Sequence, residues 1–204
     1  MVFSWDDSRR AFTDAAKWFV RTAAVVGDRW HLPGLGEWDV RALVGHTSRS
    51  LLTVETYLAR PAPAVEVASA AEYFRATRVA AADPAVAARG RDAGTALGTD
   101  PAAGVAQISA RVLRLVDTQD GTELMTTIAG GMQLGDYLPT RTFELAVHTA
   151  DLATALGVRP DVPATAAAQA LHVIADLAVA DGLAGPLLLA ATGRPGLPAR
   201  FSVL

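Results

Sequence analysis

The sequence contains no cysteine and a single lysine, Lys17, in 204 residues. Without cysteine the fold has no disulfide bond, and a metal ion would have to be bound by histidine and carboxylate ligands. Any chemistry that uses a thiol would likewise need an external thiol. The net charge of −3 gives no reason to expect nucleic acid or an anionic membrane as a partner.

Long hydrophobic runs are missing as well. The most apolar stretch, residues 182–192, is too short and too rich in glycine to span a bilayer core of about 30 Å. The N-terminus is charged and lacks the hydrophobic segment and small-residue cleavage site of a signal peptide. We therefore expect a soluble protein of the cytoplasm.

The chain does contain apolar residues that repeat at the spacing of an α-helix. Hydrophobic residues make up 51% of the sequence and charged residues 19%, which excludes a disordered chain and fits a well-buried globular domain. Apolar spacing and breaker residues predict helices at about 5–27, 38–59, 68–82, 100–117, 137–157 and 163–181, with a loop at 28–37. Asp100 and Pro101 are typical of an N-cap followed by a proline at the first helical position.

The fold class that follows is all-α, with short loops between long helices. A run of β-forming residues before Gly130 and Gly131 predicts a small β-hairpin near 123–133. We expect one domain over residues 1–204, whose tail, residues 185–204, packs as a short helix and an extended segment.

The predicted helix at 137–157 carries an unusual polar stripe. Pro139 suits its first turn, and Gly157 suits the position just past its end. At about 100° per residue, one narrow line of this helix holds four polar side chains: Arg141, Glu144, His148 and Asp151.

Glu144 and His148 are four residues apart, so both side chains can reach one point beside the helix. Taken alone, such a pair is also typical of a solvated ion pair. A metal site in a bundle is assembled from facing helices, and His46 in the second helix is the candidate third ligand. Two imidazoles and one carboxylate suit zinc, nickel, cobalt or ferrous iron, and leave coordination positions open.

Other polar residues have more ordinary interpretations. Asp39, Arg141 and Asp151 could orient the ligands or hold a substrate anion. His31 is interpreted as a surface or packing residue, and His172 with Asp176 as an intrahelical contact. Gly45, next to His46, costs about 1 kcal/mol relative to alanine in a helix interior. A glycine at this position indicates either that another group approaches the helix closely or that the helix simply tolerates the glycine.

Two sequence blocks resemble a known family. The first is W-D-V-R-x-L-V-x-H at residues 38–46, and the second is R-x-x-E-x-x-x-H-x-x-D-L-x-x-A-L-G at residues 141–157. Both are similar to the N-terminal metal-binding domain of mycothiol-dependent maleylpyruvate isomerases, within the DinB-like group of metal-binding bundles. The ending LLLAATGRPGLP-x-x-FSVL also resembles short actinobacterial members of this group.

The resemblance covers most of the chain and implies a DinB-like up-down four-helix bundle with extra short helices. It implies that His46, Glu144 and His148 bind a divalent metal, with zinc expected first and nickel as an alternative. The characterised isomerases also have a C-terminal α/β domain, and we expect a short form that ends before it. A homodimer is common among bundles of this resemblance and is a further expectation.

Three hypotheses about function follow. In the first, the metal lowers the pKa of mycothiol or a similar small thiol, whose thiolate attacks an electrophile in a transfer or isomerisation. The electrophile would be an unsaturated acid, an epoxide or a halogenated compound. In the second, metal-activated water replaces the thiol, with Asp151 or Asp39 as base. In the third, the bundle binds metal or a partner, such as an anti-sigma-type regulator, without catalysis.

Overall fold

The computed structural model describes residues 3–81, 83, 85–194, 197–199 and 201–204. Within these residues the chain is mostly helical and adds two small antiparallel hairpins, which confirms the predicted all-α bundle with a hairpin. The helices are α1 (Trp5–Ala24), α2 (Val40–Leu58), α3 (Ala70–Ala81), α4 (Ala85–Ala96), α5 (Pro101–Val116), α6 (Leu134–Ala155), α7 (Ala164–Ala180) and α8 (Ala184–Ala191). The strands are β1 (Pro33–Leu35), β2 (Trp38–Asp39), β3 (Leu124–Thr127) and β4 (Gly130–Gln133).

Four helices form the centre of the bundle. Helix α1 contacts α5 and α6, and α2 contacts the same two helices, so the four enclose a common core. Large side chains such as Phe12, Leu43, Leu138 and Leu145 are fully buried there. Helix α7 packs against α1 and α6, and α4 packs against α2. None of the described helices is long and apolar enough to cross a membrane.

Side-chain caps fix where several of these helices begin. Ser4 and Asp7 form a reciprocal capping box at the start of α1. The Asp39 carboxylate accepts a hydrogen bond of 2.7 Å from the Ala42 amide and caps α2. Asp100 caps α5 ahead of Pro101, as the sequence predicts. The predicted loop at 28–37 contains a 3₁₀ turn, and β1 pairs with β2 at its end.

Helix α6 begins earlier than predicted. The sequence places Pro139 in the first turn, whereas the helix starts at Leu134 and Pro139 lies inside it. The prediction was wrong because strand β4 runs directly into the helix, and a proline is not required to mark the start. The other end agrees with the prediction, because Leu156 caps the helix and Gly157 adopts a left-handed φ of 68°.

The close contact between α2 and α4 explains Gly45. A β-carbon added at Gly45 would lie 2.1 Å from the backbone nitrogen of Gly94, and one added at Gly94 would lie 2.7 Å from the carbonyl oxygen of Arg41. The glycines therefore let two helix backbones touch. Of the two interpretations of Gly45, close approach is the one that the structure supports.

The C-terminal segment is tied to the outer helices. Asp181, which follows α7, forms ion pairs with Arg75 and Arg78 of α3. Arg78 also donates a 3.0 Å hydrogen bond to the carbonyl oxygen of Val203, whose side chain is buried. These contacts hold the last residues of the chain against α3, and Leu204 lines the same pocket as His46.

Candidate metal centre

Helices α2 and α6 bring three potential metal ligands together. His46 projects from α2, while Glu144 and His148 lie one turn apart on α6. One ligand atom from each of the three residues lies within 4.8 Å of the others. The two imidazole rings meet edge to face, with their centroids 4.8 Å apart. The spacing on α6 and the family resemblance predicted this group of residues, and the folded chain brings them to one place.

His148 is held from both sides by carboxylates. Its Nε2 atom lies 3.2 Å from Oε2 of Glu144, and its Nδ1 atom lies 3.1 Å from Oδ2 of Asp151. Because a carboxylate accepts hydrogen bonds, the contact with Asp151 places a hydrogen on Nδ1. This arrangement directs Nε2 toward Glu144 and His46. An imidazole that binds a metal ion through one nitrogen commonly donates from the other nitrogen to a carboxylate in this way.

His46 is held by packing rather than by hydrogen bonds. Its ring lies against the indole of Trp38, with centroids 4.4 Å apart and an interplanar angle of 31°. Its Nδ1 atom is buried and has no hydrogen-bond partner among the described residues. Buried polar atoms in folded proteins normally have a partner. A metal ion in this pocket would be one way to satisfy such an imidazole.

The two histidines have opposite protonation behaviour. Burial, together with the charge of His148, lowers the pKa of His46 to about 4. Burial also acts to lower the pKa of His148, but hydrogen bonds to Asp151 and Glu144 outweigh it and raise the pKa to about 9. Burial acts to raise the pKa of Glu144, yet His148 and Arg141 hold it below its usual value. At neutral pH the metal-free centre therefore holds a neutral His46, a protonated His148 and an ionised Glu144.

Arg141 provides a buried positive charge beside the ligands. Only 8% of this residue is exposed. Its guanidinium lies over the rings of Tyr73 and Tyr137, at 5.2 and 4.9 Å from their centroids. Its Nε atom donates a 2.9 Å hydrogen bond to the hydroxyl of Thr140. Aromatic faces and a hydroxyl thus hold the side chain in place while it faces the pocket that contains Glu144.

A pocket of about 640 Å³ opens over these residues, and we call it the metal pocket. Its volume lies within the range of small-molecule sites, which is roughly 300–1,000 Å³. Its polar lining residues include His46, Glu144, His148 and the arginines 49, 89 and 141. Its apolar and aromatic lining residues include Trp38, Tyr57, Tyr73, Phe74, Ile128 and Leu204.

The donor set fits a divalent metal ion. Two imidazoles and one carboxylate are ligands that zinc, nickel and ferrous iron accept, and three protein ligands leave room for a further ligand. The carboxylate of Asp151 supplies the outer hydrogen bond that such sites use to orient a histidine. The buried, unpartnered nitrogen of His46 agrees with the same assignment.

The remaining candidates lie in different places. Asp39 is exposed and caps α2, and it is not among the residues that line the metal pocket. His172 lies on α7, 3.5 Å from Asp176, as an intrahelical pair. His31 is exposed in the 3₁₀ turn.

The sequence-based site left out several residues that line the metal pocket. Arg49 follows His46 by three residues on α2, so helical spacing alone could have pointed to it. Trp38 is the first residue of the first sequence block but was not assigned to the site. Tyr73 lies on α3, so spacing within the two helices that carry the ligands could not have identified it.

Comparison with known proteins gives one family match. The model of the family described as mycothiol maleylpyruvate isomerase N-terminal domain matches residues 7–153, which include the first sequence block, residues 141–153 of the second block and all three candidate ligands. Comparisons with curated proteins and with solved structures find no match. Because the match covers well over half of the 204 residues, the chain belongs to the mycothiol maleylpyruvate isomerase N-terminal domain family.

Proposed function

We propose that this protein binds one divalent metal ion through His46, Glu144 and His148, and acts as a mycothiol-dependent transferase or isomerase-like enzyme. The observation that carries the proposal is the convergence of three ligand atoms within 4.8 Å in an open pocket. Zinc is the metal we expect first, and nickel is the alternative. The family description connects this type of domain with mycothiol.

The pocket supplies what a thiol-dependent reaction requires from the protein. A divalent ion held there would act as a Lewis acid that lowers the pKa of a thiol bound to it. The chain has no cysteine, so the thiol must come from a small molecule. Asp151 fixes the ring of His148, and Trp38 fixes the ring of His46, so both imidazoles are oriented before the thiol arrives.

The charges of the pocket favour an electrophile that carries an anionic group. Arg89 lies 3.8 Å from Asp83, so these two charges offset one another. Arg49 and Arg141 remain, with Glu144 as the carboxylate that lines the same pocket. Among unsaturated acids, epoxides and halogenated compounds, the two arginines favour the acids.

Metal-dependent hydrolysis has less support, because both candidate bases have other contacts. Asp151 is hydrogen-bonded to Nδ1 of His148, and Asp39 caps α2 away from the metal pocket. A carboxylate that orients a metal ligand is a positioning group rather than a base.

Metal content is the first test. Protein without an affinity tag is analysed for bound elements as wild type and as His46→Ala, His148→Ala and His172→Ala. We expect near-stoichiometric metal in the wild type and in His172→Ala, and a loss in the other two variants. His172 is a matched control because it has its own carboxylate four residues along its helix, and no group of three ligands that includes it occurs among the described residues. A wild type that neither contains metal nor binds added zinc or nickel would refute the proposal.

Thiol dependence is the second test. The metal-loaded protein is incubated with a panel of unsaturated acids, with and without mycothiol, and thiol consumption and product are followed. We expect turnover that requires mycothiol and disappears in His148→Ala. Turnover without any thiol would support the hydrolase instead. Stoichiometric metal without turnover on any substrate would favour a bundle that binds metal without catalysis.

A further inference from the structure

A second cavity lies beside the metal pocket, and we call it the side cavity. Its volume is about 350 Å³, and it is lined by Leu35, Glu37, Trp38, Asp83, Val86 and Ala87. Three of these residues, Trp38, Asp83 and Val86, also line the metal pocket. The two cavities are therefore neighbours that share a wall.

Trp38 is the central part of this shared wall, and several contacts hold its side chain in place. Its indole nitrogen donates a 3.0 Å hydrogen bond to the carbonyl oxygen of Ala87. A β-carbon added at Gly90 would lie 2.7 Å from the indole ring, so the absent side chain of Gly90 makes room for it. The same indole lies against His46. The side cavity thus begins one aromatic ring away from a candidate metal ligand.

The two cavities differ in charge. The metal pocket is lined by three arginines and by the carboxylates of Glu144 and Asp83. The described lining of the side cavity has no cationic side chain and has the carboxylates of Glu37 and Asp83, of which Asp83 lies 3.8 Å from Arg89. Carboxylates repel an anionic ligand, but they accept hydrogen bonds from hydroxyl groups. The remaining lining is apolar and aromatic, which suits the C–H face of a ring. This combination fits an uncharged, hydroxyl-rich ligand with an apolar face, such as a sugar.

Mycothiol has a group of this chemistry at a suitable distance from its sulfur. It is an acetylated cysteine whose carboxyl group is joined to an amino sugar that carries an inositol. One cysteinyl residue thus separates the sulfur from the first ring, and one residue spans about 3.5 Å of extended chain. Trp38, which lines the side cavity, packs directly against the candidate ligand His46, with ring centroids 4.4 Å apart.

We propose that the side cavity binds the sugar and inositol portion of the thiol cosubstrate while its sulfur lies in the metal pocket. This assignment rests on the proposed function and leaves the arginine-lined part of the metal pocket to the electrophile. Glu37 and Asp83 accept hydrogen bonds from ring hydroxyls, and Trp38 packs against a ring face. The side cavity thereby distinguishes mycothiol from thiols that lack sugars.

The test fills the side cavity. Leu35→Trp places a larger side chain in its lining, and Leu32→Trp is the matched control, because Leu32 has the same exposure of 38% but does not line either cavity. The KM of the metal-loaded protein is measured for mycothiol and for N-acetylcysteine, which lacks both rings. We expect Leu35→Trp to raise the KM for mycothiol at least tenfold and to leave the KM for N-acetylcysteine unchanged. Leu32→Trp should change neither.

An equal change for both thiols, or no change for either, would overturn the assignment while leaving thiol dependence intact. Glu37→Gln provides a second variant that adds no volume. It should raise the KM for mycothiol and leave the KM for N-acetylcysteine unchanged.

Binding of the thiol-free sugar–inositol fragment, followed by calorimetry, tests the side cavity separately from the proposed thiol-dependent function. Binding that Leu35→Trp abolishes would support the side cavity even if no thiol-dependent turnover is found. A fragment that fails to bind the wild type at millimolar concentration would count against it.

Discussion

Replacement of Asp151 by alanine tests whether the outer carboxylate tunes the metal centre. The variant removes the 3.1 Å contact with Nδ1 of His148, while the ligand atoms of His46, Glu144 and His148 remain. Loss of such an outer partner typically weakens metal binding by about 10–100-fold, or roughly 1.4–2.7 kcal/mol. The Asp151 side chain is 31% exposed, so the substitution should leave the fold intact.

The size of the effect depends on pH, because a proton and the metal compete for His148. With a pKa of about 9, His148 carries a proton at neutral pH and must lose it to bind a metal ion. Wild-type affinity should therefore rise about tenfold per pH unit from pH 6 until pH 9, and then level off. His46, with a pKa of about 4, carries no proton in this pH range, so no proton competes with the metal for it.

Removal of Asp151 has two opposite effects on metal affinity, one through the pKa of His148 and one through the orientation of its ring. It takes away a hydrogen bond that raises the pKa of His148, so the proton competes less strongly and the affinity levels off at a lower pH. It also removes the group that orients the ring, so the affinity on the plateau falls. The difference between Asp151→Ala and wild type should thus be largest near pH 9 and smaller near pH 6.

The assay is a competition titration of zinc against a chromophoric chelator at several pH values and constant ionic strength. Asp176→Ala is the matched control, because it removes the carboxylate that pairs with His172 on α7. It should follow the wild-type curve at every pH. Superimposable affinity curves for Asp151→Ala and wild type would refute the role of Asp151. An equal loss of zinc affinity in Asp176→Ala would show that the effect comes from removing a negative charge in general.

Two further predictions concern stability and are measured by urea unfolding. Gly45→Ala should destabilise the fold by about 3 kcal/mol, the upper end of overpacking costs, because its β-carbon would meet the backbone of Gly94. Gly185→Ala, where the added carbon meets nothing within 4 Å, should leave stability unchanged or raise it by up to about 1 kcal/mol. Tyr137→Phe should lower the free energy of unfolding by about 1 kcal/mol, because it keeps the buried ring but removes the hydroxyl that donates a 2.9 Å hydrogen bond to Thr53. An unchanged unfolding midpoint in Gly45→Ala or Tyr137→Phe would contradict the corresponding reasoning.

The bundle could be predicted from sequence because most of its helices bury apolar stripes. Helices α1, α2, α5 and α7 were anticipated to within a few residues, and α5 was marked by Asp100 and Pro101. Helix α4 gave no such signal. Its buried positions are Gly90 and Gly94, which contact Trp38 and the backbone of α2 instead of contributing side chains to the core. Glycines lower helix propensity and leave no apolar stripe, so local patterns could not reveal this helix.

The candidate site was predictable only in part for a similar reason. Helical spacing shows that Glu144 and His148 share a face of α6, but the approach of His46 depends on how α2 packs. Family resemblance supplied that missing information. The side cavity depends on the α3–α4 region and on the hairpin before α2, which meet only in the folded chain.

The position of Leu204 has a practical consequence for anyone who produces this protein. Val203 is anchored by Arg78, and Leu204 lines the metal pocket, so any residues attached after it leave from the rim of that pocket. A polyhistidine tag fused there would bring additional imidazoles to the candidate metal centre and could distort measurements of metal content. A removable tag ahead of α1 keeps purification chemistry separate from the chemistry under study.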